Sequence, residues 1–262
     1  MTFETIIFSV KDGIGRITFN RPDKLNSFTQ QMHVEMREAL SRLMGEGARV
    51  LVLTGAGRAF CAGQDLGERV VAPGDPRPDL GESIERNYKP LVMGVRNSPI
   101  PVIASVNGVA AGAGANLALA CDLVIAARSA IFIQPFCNLG LLPDAGGTWT
   151  LPRLVGGARA LGLTMLGEKL PAEQAAAWGL IWRCVDDADL PGVTDQIARR
   201  LAAGPTRGLA CIKRALHSTW ERSFEEALNV ERDAQRELGA TEDYAEAIAA
   251  FVAKRPPRFK GQ

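Results

Sequence analysis

Two short apolar runs, at residues 50–54 and 101–106, each break directly into a stretch of glycine and alanine. That pattern restricts the possible folds more than any other feature of the chain. A brief apolar run bounded by turn formers reads as a strand buried on both faces, the kind found in parallel sheets. Small residues directly after it let the backbone turn tightly and approach its neighbours. The second junction leads into an apolar helical stretch at 113–121, and another strand is expected at 123–127. Strands alternating with helices predict an α/β core.

Periodicity extends this reading to both ends. Residues 5–10 and 14–19 alternate apolar and polar side chains about Lys11-Asp12-Gly13, which predicts a β-hairpin. Helical spacing runs over 29–44, with Thr29 as N-cap, and over 82–96, after an irregular Pro/Gly/Asp-rich loop at 72–81. From Gly157 helical patterns dominate, at 158–166, 172–178, 193–203, 206–218, 224–238 and 243–254, with one strand at 181–185. The expected organisation is an α/β core over residues 1–195 and a C-terminal helical module over 196–262.

Composition excludes several classes of function. Lys and Arg total 30 against 29 Asp and Glu, so no global field draws the chain to nucleic acid or an anionic membrane. The five cysteines are odd in number and form no C-x-x-C, which favours a reducing compartment. No apolar run is long enough to span a bilayer, and the first residues do not read as a signal peptide. A cytoplasmic protein is expected. Only His33 and His217 are present, both in amphipathic helical patterns where a surface or boundary role is expected, and G-x-S-x-G is missing. A Ser-His-Asp hydrolase is therefore poorly supported. Neither a metal-ligand cluster nor a nucleotide-phosphate loop of the usual kinds occurs.

What remains are three Gly/Ala-rich junctions, at residues 55–66, 107–116 and 138–148. The first two present backbone N–H groups, the second at a helix start where the dipole favours negative charge. In the third, the lone carboxylate Asp144 stands among apolar and small residues. Desolvation there would raise its pKa toward a value useful in proton transfer; equally, Asp144 could cap the helix that follows. Two donor loops and one such carboxylate suit a reaction that builds negative charge on a carbonyl oxygen and moves protons at nearby carbon.

AFCAGQDL (59–66), VNGVAAGAGANLALACDLVIA (106–126) and LGLLPDAGGTWTLPRLVG (139–156), with RPDKLNSF (21–28) and AFVAKRPPRF (250–259), resemble signatures of the crotonase (enoyl-CoA hydratase/isomerase) family in order and spacing. The resemblance implies a spiral of ββα units with a C-terminal helical module, assembled as a homotrimer or dimer of trimers. It also implies an acyl-CoA thioester substrate, held by an oxyanion hole made of the Gln64 and Ala113 N–H groups. The second of these positions is commonly glycine in the family, so a methyl group must be accommodated here. Coenzyme A contacts carried over by position are Lys24, Leu25, Ala62, Asp65, Leu66, Phe251 and Lys254. No metal or redox cofactor is implied, since coenzyme A arrives with the substrate.

Hydratases of the family use two glutamates, and the matching positions here are Asn116 and Phe136. Neither can activate water by proton transfer, so Asp144 is the one carboxylate left at a reactive position. PDLGESIERNYKPLV (78–92), GLLPDAGGTW (140–149) and GLIWRCVDD (179–187) resemble a branch of the family that rearranges an aromatic ring epoxide on acetyl-CoA to an oxepin. Some members of that branch also convert 3-enoyl-CoA to 2-enoyl-CoA. The expectation is an isomerase in which Asp144 shuttles the proton and Phe136, Leu141 and Trp149 wall the acyl pocket. A fatty-acid 3-enoyl-CoA isomerase or an enoyl-CoA hydratase, an aryl-CoA dehalogenase with Asp144 as nucleophile, and a non-catalytic acyl-CoA or RNA-binding module are the alternatives.

Overall fold

The computed structural model describes residues 3–72 and 74–262. Strands β1 (Ile6–Lys11) and β2 (Ile14–Phe19) pair antiparallel, with Ile6 opposite Phe19. Asp12 and Gly13 both take positive φ at the tip, as a type I′ turn requires. Helix α1 (Gln30–Arg42) follows, its first turn capped by Thr29 Oγ1 accepting from the Met32 N–H at 3.2 Å.

Three strand pairs then repeat one plan. β3 (Val50–Gly55) and β4 (Ala59–Cys61) lead to α2 (Leu80–Ser83) and α3 (Lys89–Arg96). β5 (Val102–Val106) and β6 (Val109–Ala111) lead to α4 (Ala113–Leu119). β7 (Leu123–Ala127) and β8 (Ile131–Ile133) lead to α5 (Gly147–Leu166). The chain continues through β9 (Lys169–Pro171), α6 (Ala172–Ala177) and β10 (Arg183–Val185) to α7 (Leu190–Ala202), α8 (Thr206–His217), α9 (Phe224–Leu238) and α10 (Glu242–Val252).

The first strand of each pair enters a six-stranded sheet of order β1-β2-β3-β5-β7-β10, and the second enters a four-stranded sheet of order β4-β6-β8-β9. Each unit therefore lays its strands parallel beside those of the unit before, and the chain advances as a spiral of ββα units. Residues 50–53 of β3 and all of β5 are buried, which is why both read as unbroken apolar runs. Met32, Met36 and Ala39 of α1 close the core with Phe19, Phe28 and Phe60. Phe19 meets both other rings edge to face.

Four features differ from the sequence reading. The helix expected at 82–96 is interrupted by a π-helical turn, Ile84–Tyr88, between α2 and α3. The helix expected at 158–166 is the far half of α5, which kinks at Gly156 (φ 76, ψ 162). His33 is not a surface residue: it is 2 % exposed, stacked on Phe28 and edge-on to Tyr88. Finally, a division at 195/196 falls inside α7, whose buried face of Leu190, Thr194, Ala198 and Ala202 lies on the larger sheet. The helices that follow are tied back by buried Lys213, which bonds Asp122 Oδ2 at 2.9 Å and the Val95 carbonyl at 3.0 Å.

Candidate active site

The spiral places the ends of β4 and β6 side by side, and the first two Gly/Ala junctions meet there. Gly63, at φ 90, fits because a Cβ would lie 2.9 Å from the Ala111 oxygen and 3.4 Å from the Ala113 nitrogen. Its neighbour Gln64 is fixed on both sides: the Phe28 N–H donates to the Gly63 oxygen (2.7 Å), and the Asp65 N–H to the Phe28 oxygen (2.9 Å). Ala113 opens α4, so its N–H has no acceptor within the helix. The Gln64 N–H donates to no backbone or side-chain acceptor among the described residues. The expected pair of donors is thus brought to one wall, and Ala113 accommodates its methyl group at 3 % exposure.

That wall bounds a cavity of about 630 Å³. Ala62, Leu66, Phe136, Leu141 and Asp144 line it, together with Ser83, Ile84 and Tyr88, to which the 78–92 motif gave no site role, and Arg69, which lies in no motif. The carboxylate faces apolar surroundings. Asp144 Oδ1 is buried with no hydrogen-bond partner. Burial lifts the carboxyl from the ordinary aspartate range up to about 6, while its own backbone N–H and the charge of Arg69 work the other way. The capping alternative is not realised, because α5 starts after Gly146 with no side-chain cap.

Asn116 occupies a hydratase glutamate position but serves here as a strut. Its Nδ2 donates to the Asp144 carbonyl at 2.9 Å, and its Oδ1 accepts from Gln134 Nε2 at 2.8 Å. Gly147 leaves room for this, since a Cβ there would sit 2.4 Å from Asn116 Nδ2. Phe136, at the other position, presents an apolar ring to the cavity. Trp149 lies away from the cavity lining and is sandwiched by the guanidinium groups of Arg96 and Arg153.

The coenzyme A candidates fall into three groups. Ala62 and Leu66 border the cavity, and Leu25 adjoins them through its carbonyl, which accepts from the Ala62 N–H at 3.0 Å. Lys24 is exposed at the end of the preceding turn. Asp65 does not line the cavity: its carboxylate pairs with Arg21 at 2.9 Å and accepts from the Gly67 N–H at 3.0 Å. Phe251 is 83 % exposed near the end of α10, Lys254 is exposed just beyond it, and neither borders this cavity. Among the described residues, no group of three His, Cys, Asp or Glu side chains could hold a metal ion, and no helix is long and apolar enough to cross a membrane.

This spiral sets the residues of two backbone donors and a desolvated carboxylate around one cavity, the architecture of a crotonase-fold enzyme. The family model for enoyl-CoA hydratase/isomerase matches residues 9–262, and the chain belongs to that family. It is 53 % identical over 260 residues to the 1,2-epoxyphenylacetyl-CoA isomerase of Escherichia coli (strain K12), covering 99 % of each chain. It is 47 % identical over 262 residues to the "probable enoyl-CoA hydratase" of Rhodobacter capsulatus, covering 100 % of each. Among solved structures, the enoyl-CoA hydratase of Bacillus anthracis superposes with a TM-score of 0.92 at 33 % identity, over 99 % of this chain and 100 % of that one.

Proposed function

We propose that this chain is an acyl-CoA isomerase that converts a ring-1,2-epoxyphenylacetyl-CoA to its oxepin isomer and moves the double bond of 3-enoyl-CoA substrates into conjugation. One observation carries the reading. Asp144 is a desolvated carboxylate at a cavity wall with its Oδ1 unpartnered, and both positions that would activate water are filled by Asn116 and Phe136.

The two activities share one proton transfer. The thioester oxygen accepts from the Gln64 and Ala113 N–H groups, and the Asp144 carboxylate removes a proton from the α-carbon. The electron pair moves onto that oxygen as an enolate. Asp144 returns the same proton to the γ-carbon, and the pair settles as the α,β double bond, so no atom is gained or lost. Opening the carbon–carbon bond shared by the two epoxide carbons gives an oxepin whose ring double bond lies β,γ to the thioester. The same α-to-γ transfer conjugates it. Each oxyanion donor is worth roughly 3–4 kcal/mol of transition-state stabilisation.

On this reading coenzyme A is the only cofactor-like group, arriving with the substrate and lying across Lys24, Leu25, Ala62 and Leu66. Contributions from Asp65, Phe251 and Lys254 are part of the same proposal, as are phenylacetate breakdown and a cytoplasmic location. A homotrimer or dimer of trimers is supported by the exposed apolar side chains Trp220, Phe224, Ile248 and Phe251 on the C-terminal helical region. The test is product identification from the ring epoxide and from a 3-enoyl-CoA in deuterated water. Oxepin-CoA and 2-enoyl-CoA are expected, without a hydroxyacyl product. Hydroxyacyl-CoA as the sole product would contradict the proposal.

A further inference from the structure

The oxyanion donor at residue 64 is the backbone of a glutamine whose side chain is fully engaged. Gln64 Oε1 accepts from the Tyr88 hydroxyl at 2.9 Å and from Arg69 Nη2 at 3.1 Å. Gln64 Nε2 donates to the Phe28 carbonyl at 3.1 Å and to the Asp65 carbonyl at 3.2 Å. A carboxamide has two acceptor lone pairs and two donors, so its capacity is spent. An oxyanion donor needs only a backbone N–H, which any residue other than proline supplies. The satisfied side chain therefore serves something other than donation to substrate.

Its partners are themselves held. Tyr88 is 3 % exposed, its ring braced by His33 at 4.5 Å and Phe28 at 6.1 Å between centroids. It ends the π-helical turn that interrupts the sequence-expected helix, a device common at functional sites. Arg69 also donates to Ser83 Oγ at 2.5 Å. The hydroxyl proton of Tyr88 is committed to Gln64, and burial together with the nearby Asp144 charge raises the phenol, leaving it neutral.

We infer that Tyr88 is a positioning residue for the oxyanion hole: with Arg69 it clamps the Gln64 side chain and so fixes the N–H that faces the thioester oxygen. This deepens the isomerase reading and rests on its assignment of the Gln64 N–H. It also links the donor to the segment that walls the cavity, because Ser83, Ile84 and Tyr88 all line it. A tyrosine acting directly on substrate or on Asp144 would give a different pattern under mutation.

The test is a double-mutant cycle of Tyr88→Phe and Gln64→Leu. The first removes only a hydroxyl, and the second keeps the backbone donor. Isomerisation rates are read alongside the carbonyl ¹³C shift of bound phenylacetyl-CoA labelled at the thioester carbon. Tyr88→Phe is expected to lower kcat roughly 10-fold, less than the roughly 100-fold typical of a 1 Å misplacement. KM and the pH profile should hold, and the ¹³C shift should move toward that of the free thioester. In the Gln64→Leu background, Tyr88→Phe should have no further effect. Additive losses, a displaced pH profile or an unmoved ¹³C shift would overturn the clamp. A wild type that polarises the carbonyl yet isomerises nothing would sink the isomerase reading and leave the clamp standing.

Discussion

A base that takes a proton from carbon near neutral pH must bind protons more tightly than a solvated carboxylate does, and at Asp144, the proposed base, burial supplies this. With its pKa at about 6, kcat should rise as pH increases through that value and then level, as a pH–rate profile would record. The same burial has a stability cost whose sign is fixed. The folded pKa lies above the ordinary 3.8, so the folded chain binds the extra proton and loses stability as pH rises from 3.8 to 6. Asp144→Asn should therefore be more stable than wild type above that window, by on the order of 3 kcal/mol. The advantage should disappear below pH 3.8, as denaturant titrations across pH would register. Equal stabilities across the range would mean the carboxylate is not desolvated.

At the scale of elements, the site depends on how α4 and α5 fit together. Gly147→Ala would drive a Cβ into Asn116 and move the backbone it holds at Asp144. Steady-state kinetics should then give kcat lower by roughly 10-fold or more, with KM little changed. The hold of α8 on the core is a second such dependence. Lys213→Met leaves the Asp122 carboxylate without its buried cation, and urea unfolding should register a loss of about 3 kcal/mol. Helix α1, with its long helical periodicity, and strand β5, with its unbroken apolar run, were readable from sequence. Of the five three-residue strands only β10 was read, within the strand expected at 181–185. The strands β4, β6, β8 and β9 were not, since they lie in or beside Gly/Ala-rich or mixed stretches and alternation has no meaning over so short a span. The π-helical turn was also hidden, since Ile84 to Tyr88 carries no proline or glycine to mark a break.

On the scale of the whole molecule, the residues that sequence motifs identified are those where the backbone must approach a ligand. Gln64, Ala113 and Asp144 lie in glycine-rich segments whose composition is itself a signal. Tyr88 and Asn116 act through side-chain contacts, to Gln64 and to Asp144, that the spiral closes across 24 and 28 residues, while Arg69 reaches Gln64 across only 5, and no local pattern marks such contacts. The same holds for Asp65, whose motif position suggests ligand contact while its carboxylate latches Arg21. The central claim is that one carboxylate carries the proton between two carbons. It is tested most directly by comparing wild type and Asp144→Asn on a 3-enoyl-CoA in deuterated water, with acyl-CoA binding measured on both. The account predicts bound ligand in each protein but double-bond migration only in wild type. Full migration in Asp144→Asn would contradict it.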